Sequence, residues 1–322
     1  MSGTPADLSF GAGHAAGRAR FVAGRCRRLG ASACLAVLLL SPAGAIAQLG
    51  PVPEKLNLFQ LVARSELVAH VRVRSGSLRF AIVEVQESLK GTAPFPVLRI
   101  AFRDFNMSRG PGEDSIVFPD GQEEVLFLVP HGRKARRRKD RDKNKDLYTL
   151  FRGRQGRLTV PAEGPGVLFQ AILRLSEVSR LDPASQAETL DGLLGGSNPL
   201  LLQTALAEIE RLQSARPELL PRLIGLLASP SATLRVGSLR VMAQIFASGR
   251  IGDESLDGAR AALAAVLERA RNDPHESVRA QAVASMAVWP ERQDVERDLK
   301  AIAGTDPAQA VRYEAEKALF KP

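Results

Sequence analysis

A seven-residue phrase recurs three times in the last third of the chain. It reads Ser229-Pro230-x-x-x-Leu234-Arg235, then Asp273-Pro274-x-x-x-Val278-Arg279, then Asp306-Pro307-x-x-x-Val311-Arg312. The arginines lie 44 and then 33 residues apart. Self-similarity at such a period marks a stacked repeat array, because one unit cannot bury its apolar face alone. Each phrase begins with a capping side chain and a proline suited to the first helical position, so each is expected to open a helix there. At four, eight and twelve residues past the proline stand Leu234, Ser238 and Met242; Val278, Ala282 and Met286; Val311, Ala315 and Leu319. That spacing draws one stripe along a helix.

Upstream of each phrase lies a second apolar-periodic stretch. These are Leu219, Leu220, Leu223, Ile224 and Leu227; Leu256, Leu263, Val266, Leu267 and Ala270; and Val295, Leu299 and Ile302, with Gly304 placed to end the last. A degenerate earlier unit runs through Pro199, Leu202, Ala205 and Leu206. Helix pairs with a turn residue, a proline and Val-Arg opening the second helix resemble HEAT-type repeats, over about residues 197–320. The resemblance implies a short α-solenoid, usually a protein-interaction scaffold. It also implies a structural ladder in which Arg235, Arg279 and Arg312 pair with turn carboxylates such as Asp273 and Asp306. Pro230, Pro274 and Pro307 hold the turns.

The N-terminal stretch looks like an export signal. Arg25, Arg27 and Arg28 form a basic region, Ala31 to Leu40 an apolar run, and Ala45-Ile46-Ala47 a cleavage site. Residues 1–47 are therefore expected to be a lead and signal peptide, with residues 1–24 reflecting a start codon assigned too early. Both cysteines, Cys26 and Cys34, leave with it, so the mature chain offers no disulfide, thiol nucleophile or cysteine metal site. Export from a bacterial cell places the protein in the periplasm or beyond.

The formal net charge of +9 is concentrated. Between Gly132 and Asp146 stand nine Lys/Arg and three Asp. The run Arg133, Lys134, Arg136, Arg137, Arg138, Lys139 and Arg141 is a candidate site for nucleic acid or an acidic envelope polysaccharide. It contains no aromatic residue for stacking, and a solvated loop is the competing reading.

Residues 52–181 read as a small β-domain with flanking helices. A helix spans Glu54–Arg64, with Leu56, Leu58, Phe59 and Leu61 inward. Leu67, Ala69, Val71 and Val73 then alternate with His70, Arg72 and Arg74, as in a strand with one buried face. Ser75 to Ser77 is a turn, and further strands are expected at 78–89, 97–103, 124–129, 147–151 and 157–160. The fourth is apolar on both faces and so central. A helix over 166–181, with Val167, Leu168, Ile172 and Leu175, closes the unit. Residues 182–197 read as a linker to the repeats at 198–322.

The phrases Arg64-Ser65-Glu66-Leu67-Val68, Val83-Glu84-Val85-x-x-x-Leu89-Lys90-Gly91 and Gly121 to Leu128 resemble a domain of uncharacterised exported bacterial proteins. That domain is similar to OB-like barrels of the netrin and metalloprotease-inhibitor type. The inhibitors reach a metal through a cysteine-anchored N-terminus, which the mature chain lacks.

Catalytic and metal chemistry find little footing. His70, His131 and His275 share no ligand spacing. Glu123 and Glu124 are adjacent in a strand and so point to opposite faces. No cofactor and no metal is expected, and no catalytic residue is assigned. The chain reads as α+β in two parts, a small β-barrel-like domain followed by a HEAT-like α-solenoid. It is expected to be a non-enzymatic scaffold of the bacterial envelope binding an unknown protein partner. Polyanion binding through the loop 132–146, or hydrolysis at an unrecognised site, are the alternatives.

Overall fold

The computed structural model describes residues 56–77, 80–101, 118–131, 145–162, 164–249, 256–290 and 292–320. All lie within one compact unit, Pro53–Pro322. The expected lead and signal peptide at residues 1–47 and the basic run Arg133–Arg141 lie outside the described residues.

Helix α1 (Leu58–Arg64) opens with a capping box. Asn57 accepts from the Gln60 N–H at 3.0 Å, and the Gln60 side chain accepts from the Asn57 N–H at 3.2 Å. Six strands follow: β1 (Leu67–Gly76), β2 (Phe80–Lys90), β3 (Val97–Ala101), β4 (Glu123–Pro130), β5 (Leu147–Leu150) and β6 (Arg157–Thr159). Their order is β1-β2-β3-β5-β4, and β4 pairs back onto β1, so five strands close into a barrel. All pairs are antiparallel except β3 with β5. Strand β6 adds to β4.

Register shifts in the β1–β2 pairing between Val68 and Ala69, His70 and Val71, and Val73 and Ser75 accompany β1's pairing on both sides; bulges of this kind bend and twist a strand. The expected turn at Ser75 to Ser77 begins later than the sequence suggests, since β1 runs on to Gly76. At the far end of β2, Gly91 takes φ +73°, and a Cβ there would meet the Glu66 carbonyl oxygen at 2.5 Å.

The strand alternation divides the apolar side chains between two cores. Leu67, Ala69, Val71 and Val73 point into the barrel with Val83, Leu98, Ile100, Leu126 and Leu128. From the outer face, Val68, Val125 and Phe127 pack on α1 and on α2 (Gly166–Val178) through Leu61, Ile172 and Leu175. Val167 on the same helix is half-exposed. Lys90 ties β2 to α1 by donating to the carbonyls of Val62, Ala63 and Ser65 at 2.6, 3.1 and 2.9 Å. Those are the orphan acceptors at a helix end.

Residues 182–197, expected to link the two parts, are largely helical. They hold α3 (Pro183–Leu193), capped by Asp182, whose carboxylate accepts from the Ala184 and Ser185 N–H groups. Its Leu190 joins the core beneath the barrel. Then come α4 (Pro199–Leu212), α5 (Leu220–Leu226), α6 (Ala232–Ala247), α7 (Leu256–Asn272), α8 (Glu276–Met286), α9 (Arg292–Thr305) and α10 (Gln309–Phe320). The second helices α4, α6, α8 and α10 stack in a row, with α5, α7 and α9 behind them. Leu234, Ser238, Met242, Val278, Ala282, Met286, Val311 and Ala315 are all buried, as their stripe requires. Gly304 falls inside the last turn of α9 rather than beyond it.

Candidate interaction surface

The repeated phrases do not start their helices at the proline. Helices α6, α8 and α10 begin two residues later, at Ala232, Glu276 and Gln309. The residue before each proline closes a tight turn instead. Asp273 accepts from the His275 N–H at 3.0 Å, Asp306 from the Ala308 N–H at 2.8 Å, and Ser229 from the Ser231 N–H at 3.2 Å. Each phrase therefore makes a side-chain-closed turn, and the helix follows it.

The phrase arginine braces that turn and reaches the next one. Arg235 Nη1 donates to the carbonyls of Ser229 and Pro230 at 2.8 and 3.1 Å. Its Nη2 donates to Asp273 Oδ1 at 2.9 Å, and Nε stands 2.8 Å from Oδ2 as an ion-pair contact off the hydrogen-bond axis. Arg279 repeats the arrangement, with Nη1 on the Asp273 carbonyl at 2.9 Å. Its Nε and Nη2 lie on Asp306 at 2.8 and 3.1 Å. The fork matches the carboxylate in two places, which fixes orientation as well as charge. Burial works against the charge of Asp273. The Arg235 and His275 hydrogen bonds, with the fields of Arg235 and Arg269, outweigh it and hold the carboxyl below its usual range. Asp306 is held low in the same way, through Arg279 and the Ala308 N–H. These rungs are buried and serve the stack.

A second polar network joins α1 to the array. Glu208 on α4 is fully buried and accepts from Asn57 Nδ2 at 2.6 Å and from Arg211 Nη2 at 2.6 Å. Asp191 accepts from Arg216, and its carbonyl accepts from Arg222 at 2.6 Å. The two-residue capping signal at Asn57 is visible in sequence, but its long-range acceptor is not.

Among the described residues, three exposed grooves stand out. Between α8 and α10 a groove is lined by Ala284, Ala287, Glu314, Lys317, Ala318 and Phe320. Between the ends of α4 and α6 another is lined by Gln213, Ala215, Gln244, Ala247 and Ser248. On the barrel, Phe95, Ile82 and Val97 form a groove beside Arg99, Lys145 and Asp146. Arg99 holds Asp146 by a two-point fork at 2.5 and 2.9 Å, which keeps that carboxyl below its usual range despite some burial.

The histidines stand apart. His70 is mostly covered, with its ring 5.0 Å from that of Phe169 and Nε2 3.3 Å from Glu123. It is on the outer strand face, as its alternation requires, but the helix covers it. His131 bonds Thr149 at 3.0 Å, and His275 precedes α8. Glu123 and Glu124 point oppositely: Glu123 pairs with Arg72 outside, and Glu124 is buried inside the barrel. Trp289 packs edge-on against Phe246 at 4.8 Å. Among the described residues no cluster of His, Cys, Asp and Glu could hold a metal ion. Nor is any described helix long and apolar enough to cross a membrane.

The fold defines a two-part α+β protein, a five-stranded barrel joined to an α-solenoid. No protein-family profile matches the chain, and no curated protein is significantly similar to it. Among solved structures it is similar to a chain from the complex of CpcE and CpcF of phycocyanin lyase from Nostoc sp. PCC7120. The identity is 16%, over 44% of this chain and 94% of that one, with a TM-score of 0.36. It is also similar to a designed armadillo repeat protein in complex with the peptide (KR)4. There the identity is 18%, over 47% of this chain and 74% of that one, with a TM-score of 0.34. At such values neither likeness bears on function.

Proposed function

We propose that the chain is an exported, non-catalytic protein-binding scaffold of the bacterial envelope, working through its row of second helices. One observation carries this reading. The row leaves open, small-residue grooves between neighbours, at Ala284 and Ala287 and again at Ala215 and Ala247, while the ladder behind holds the helices rigid. A rigid, unfilled furrow receives a partner at little ordering cost. The test is capture from envelope extract by the tagged chain, compared with Ala284→Glu and Ala287→Glu in the groove. A stoichiometric protein partner lost on both substitutions supports the reading; capture of nothing by the unaltered chain sinks it.

A second reading starts from the barrel. Its strand order, with β3 and β5 parallel, is like that of an OB-type barrel, where the loop between the fourth and fifth strands helps bind oligonucleotides or oligosaccharides. Phe95 is half-exposed in the groove with Arg99 and Lys145, an aromatic ring of the kind the basic run itself lacks. Arg133, Lys134, Arg136, Arg137, Arg138, Lys139 and Arg141 would then neutralise an acidic polymer. Binding to a heparin column that falls steeply with salt, and goes when these seven are replaced by Ser, supports it. Salt-insensitive or absent retention removes it.

A further inference from the structure

The arginine ladder has three forks and, among the described residues, two carboxylates to fill them. Arg312 Nη1 donates to the carbonyls of Asp306 and Pro307 at 2.7 and 3.1 Å, as Arg235 does to Ser229 and Pro230. The side chain is thus pinned in the same pose as the first rung. No described carboxylate lies within ion-pair distance of it, whereas Arg235 and Arg279 each hold an aspartate from the following turn. The remaining N–H groups of the Arg312 fork are set for a two-point acceptor.

The surroundings follow the same repeat. On α8 the row Arg279, Ala280, Val283, Ala284 and Ala287 faces α10, with Val283 fully buried and Ala284 and Ala287 lining the groove between the helices. Thirty-three residues on, the same row reads Arg312, Tyr313, Glu316, Lys317 and Phe320. Tyr313 is 63% exposed and Phe320 86%, above every other exposed large apolar residue described. A pinned arginine fork beside two uncovered rings has the composition of an interaction hot spot, rich in Arg and aromatics. Glu316 stands where α6 and α8 carry the buried Leu239 and Val283. Covering a carboxylate with a wholly apolar surface costs more than it gains, so the occupant must bring a cation to it.

We propose that this face of α10 docks an aspartate-closed helix turn of a helical-repeat partner protein. Its carboxylate enters the Arg312 fork, its apolar side chains cover Tyr313 and Phe320, and a Lys or Arg meets Glu316. This rests on the scaffold reading and names its partner class, on the outer face of α10 where Phe320 borders the α8–α10 groove.

The probe is a synthetic peptide copying residues 292–320, whose Asp306 fills the Arg279 fork in the intact chain, titrated into the full chain by fluorescence anisotropy. Arg312→Lys keeps a donor for the turn carbonyls and removes the fork; Asp306→Asn in the peptide leaves the chain untouched. Saturable binding, weakened about tenfold or more by either change, is the expected result, since a charged two-point hydrogen bond is lost. Absent binding, or binding indifferent to both changes, overturns the proposal. So does concentration-dependent dimerisation of the chain abolished by Tyr313→Ser, which gives the surface to a second copy. Envelope capture that survives Arg312→Lys but not Ala284→Glu sinks docking at the Arg312 fork and leaves the scaffold standing.

Discussion

The barrel and the solenoid each bury a carboxylate beside an arginine, and they shift it in opposite directions. Inside the barrel, Glu124 is fully buried and meets Arg157 through one oxygen only; the other has no hydrogen-bond partner among the described residues. Burial outweighs Arg157, and the carboxyl is pushed above its usual range. In the solenoid, Asp273 and Asp306 are also closed off from water, yet both lie low. Glu124 lies deeper in the protein, so burial weighs more on it. Asp273 and Asp306 each accept from an arginine and from a backbone N–H, and for them these donors outweigh burial.

The largest effect should come from emptying a rung. Asp273→Ala leaves Arg235 buried without its counter-charge and opens the Asp273-closed turn, and breaking a buried pair costs about 3–5 kcal/mol. Urea unfolding followed by circular dichroism reads it as a large fall in midpoint. A variant that unfolds like the parent would show that the ladder is ornament on an array held by its apolar stripe.

The two environments should also part company in their pH dependence. Asp273 and Asp306 titrate lower folded than unfolded, so their stabilisation is present above the unfolded aspartate value and is lost as pH falls through the folded one. Glu124 titrates higher folded than unfolded. Its contribution is fully present below the unfolded glutamate value and is lost as pH rises through the folded one. Glu124→Gln should therefore flatten the stability profile above the unfolded glutamate value and leave the acid-side loss intact. Asp306→Asn should do the reverse. Unfolding midpoints measured across mildly to strongly acidic buffers test both; identical profiles for the two variants would erase the contrast.

The two halves also differ in how much of them can be read along the chain. The ladder is visible because its partners recur at fixed spacing, and the apolar stripe beside it is regular. The start of each helix is displaced by two residues because Asp273 and Asp306 satisfy turn N–H groups rather than helical ones. Helix α3 escapes notice because only Leu190 and Asp191 along it are buried, although Asp182-Pro183 is a sound start signal. The strands show in their alternation, but barrel closure does not. The pairings that close it, β1 with β4 and β3 with β5, join strands distant in sequence and leave no local trace. A glutamate at 124 likewise reads as a strand's solvent face until closure puts it inside.

The junction sits between the halves in expected size. Asn57→Ala removes the α1 cap and the bond to Glu208 together. A lost cap costs about 0.5–2 kcal/mol. Glu208 keeps Arg211, so the loss belongs at the upper end of that range without reaching that of a broken rung. Hydrogen exchange should show α1 opening more often while the α6 to α10 stack is unchanged. If exchange rises evenly throughout, the junction transmits stability across the molecule rather than merely joining its parts.

The smallest effect belongs to the outer barrel, where charge pairs are geometrically as good as those in the ladder. Arg74 Nε lies 3.1 Å from Glu84 Oε2, reached diagonally between neighbouring strands because Glu84 stands opposite Arg72, and both side chains are open to water. The hydrogen bond and field of Arg74 hold Glu84 below its usual value, yet solvent and salt screen the pair. Arg74→Ala should leave the unfolding midpoint unmoved at physiological salt, although its ion-pair distance is close to the 2.8 Å of the Arg235–Asp273 rung. Measured beside Asp273→Ala, it separates the two quantities that a contact distance conflates. If the outer pair proved as costly to break as the rung, burial would not be what gives the ladder its weight.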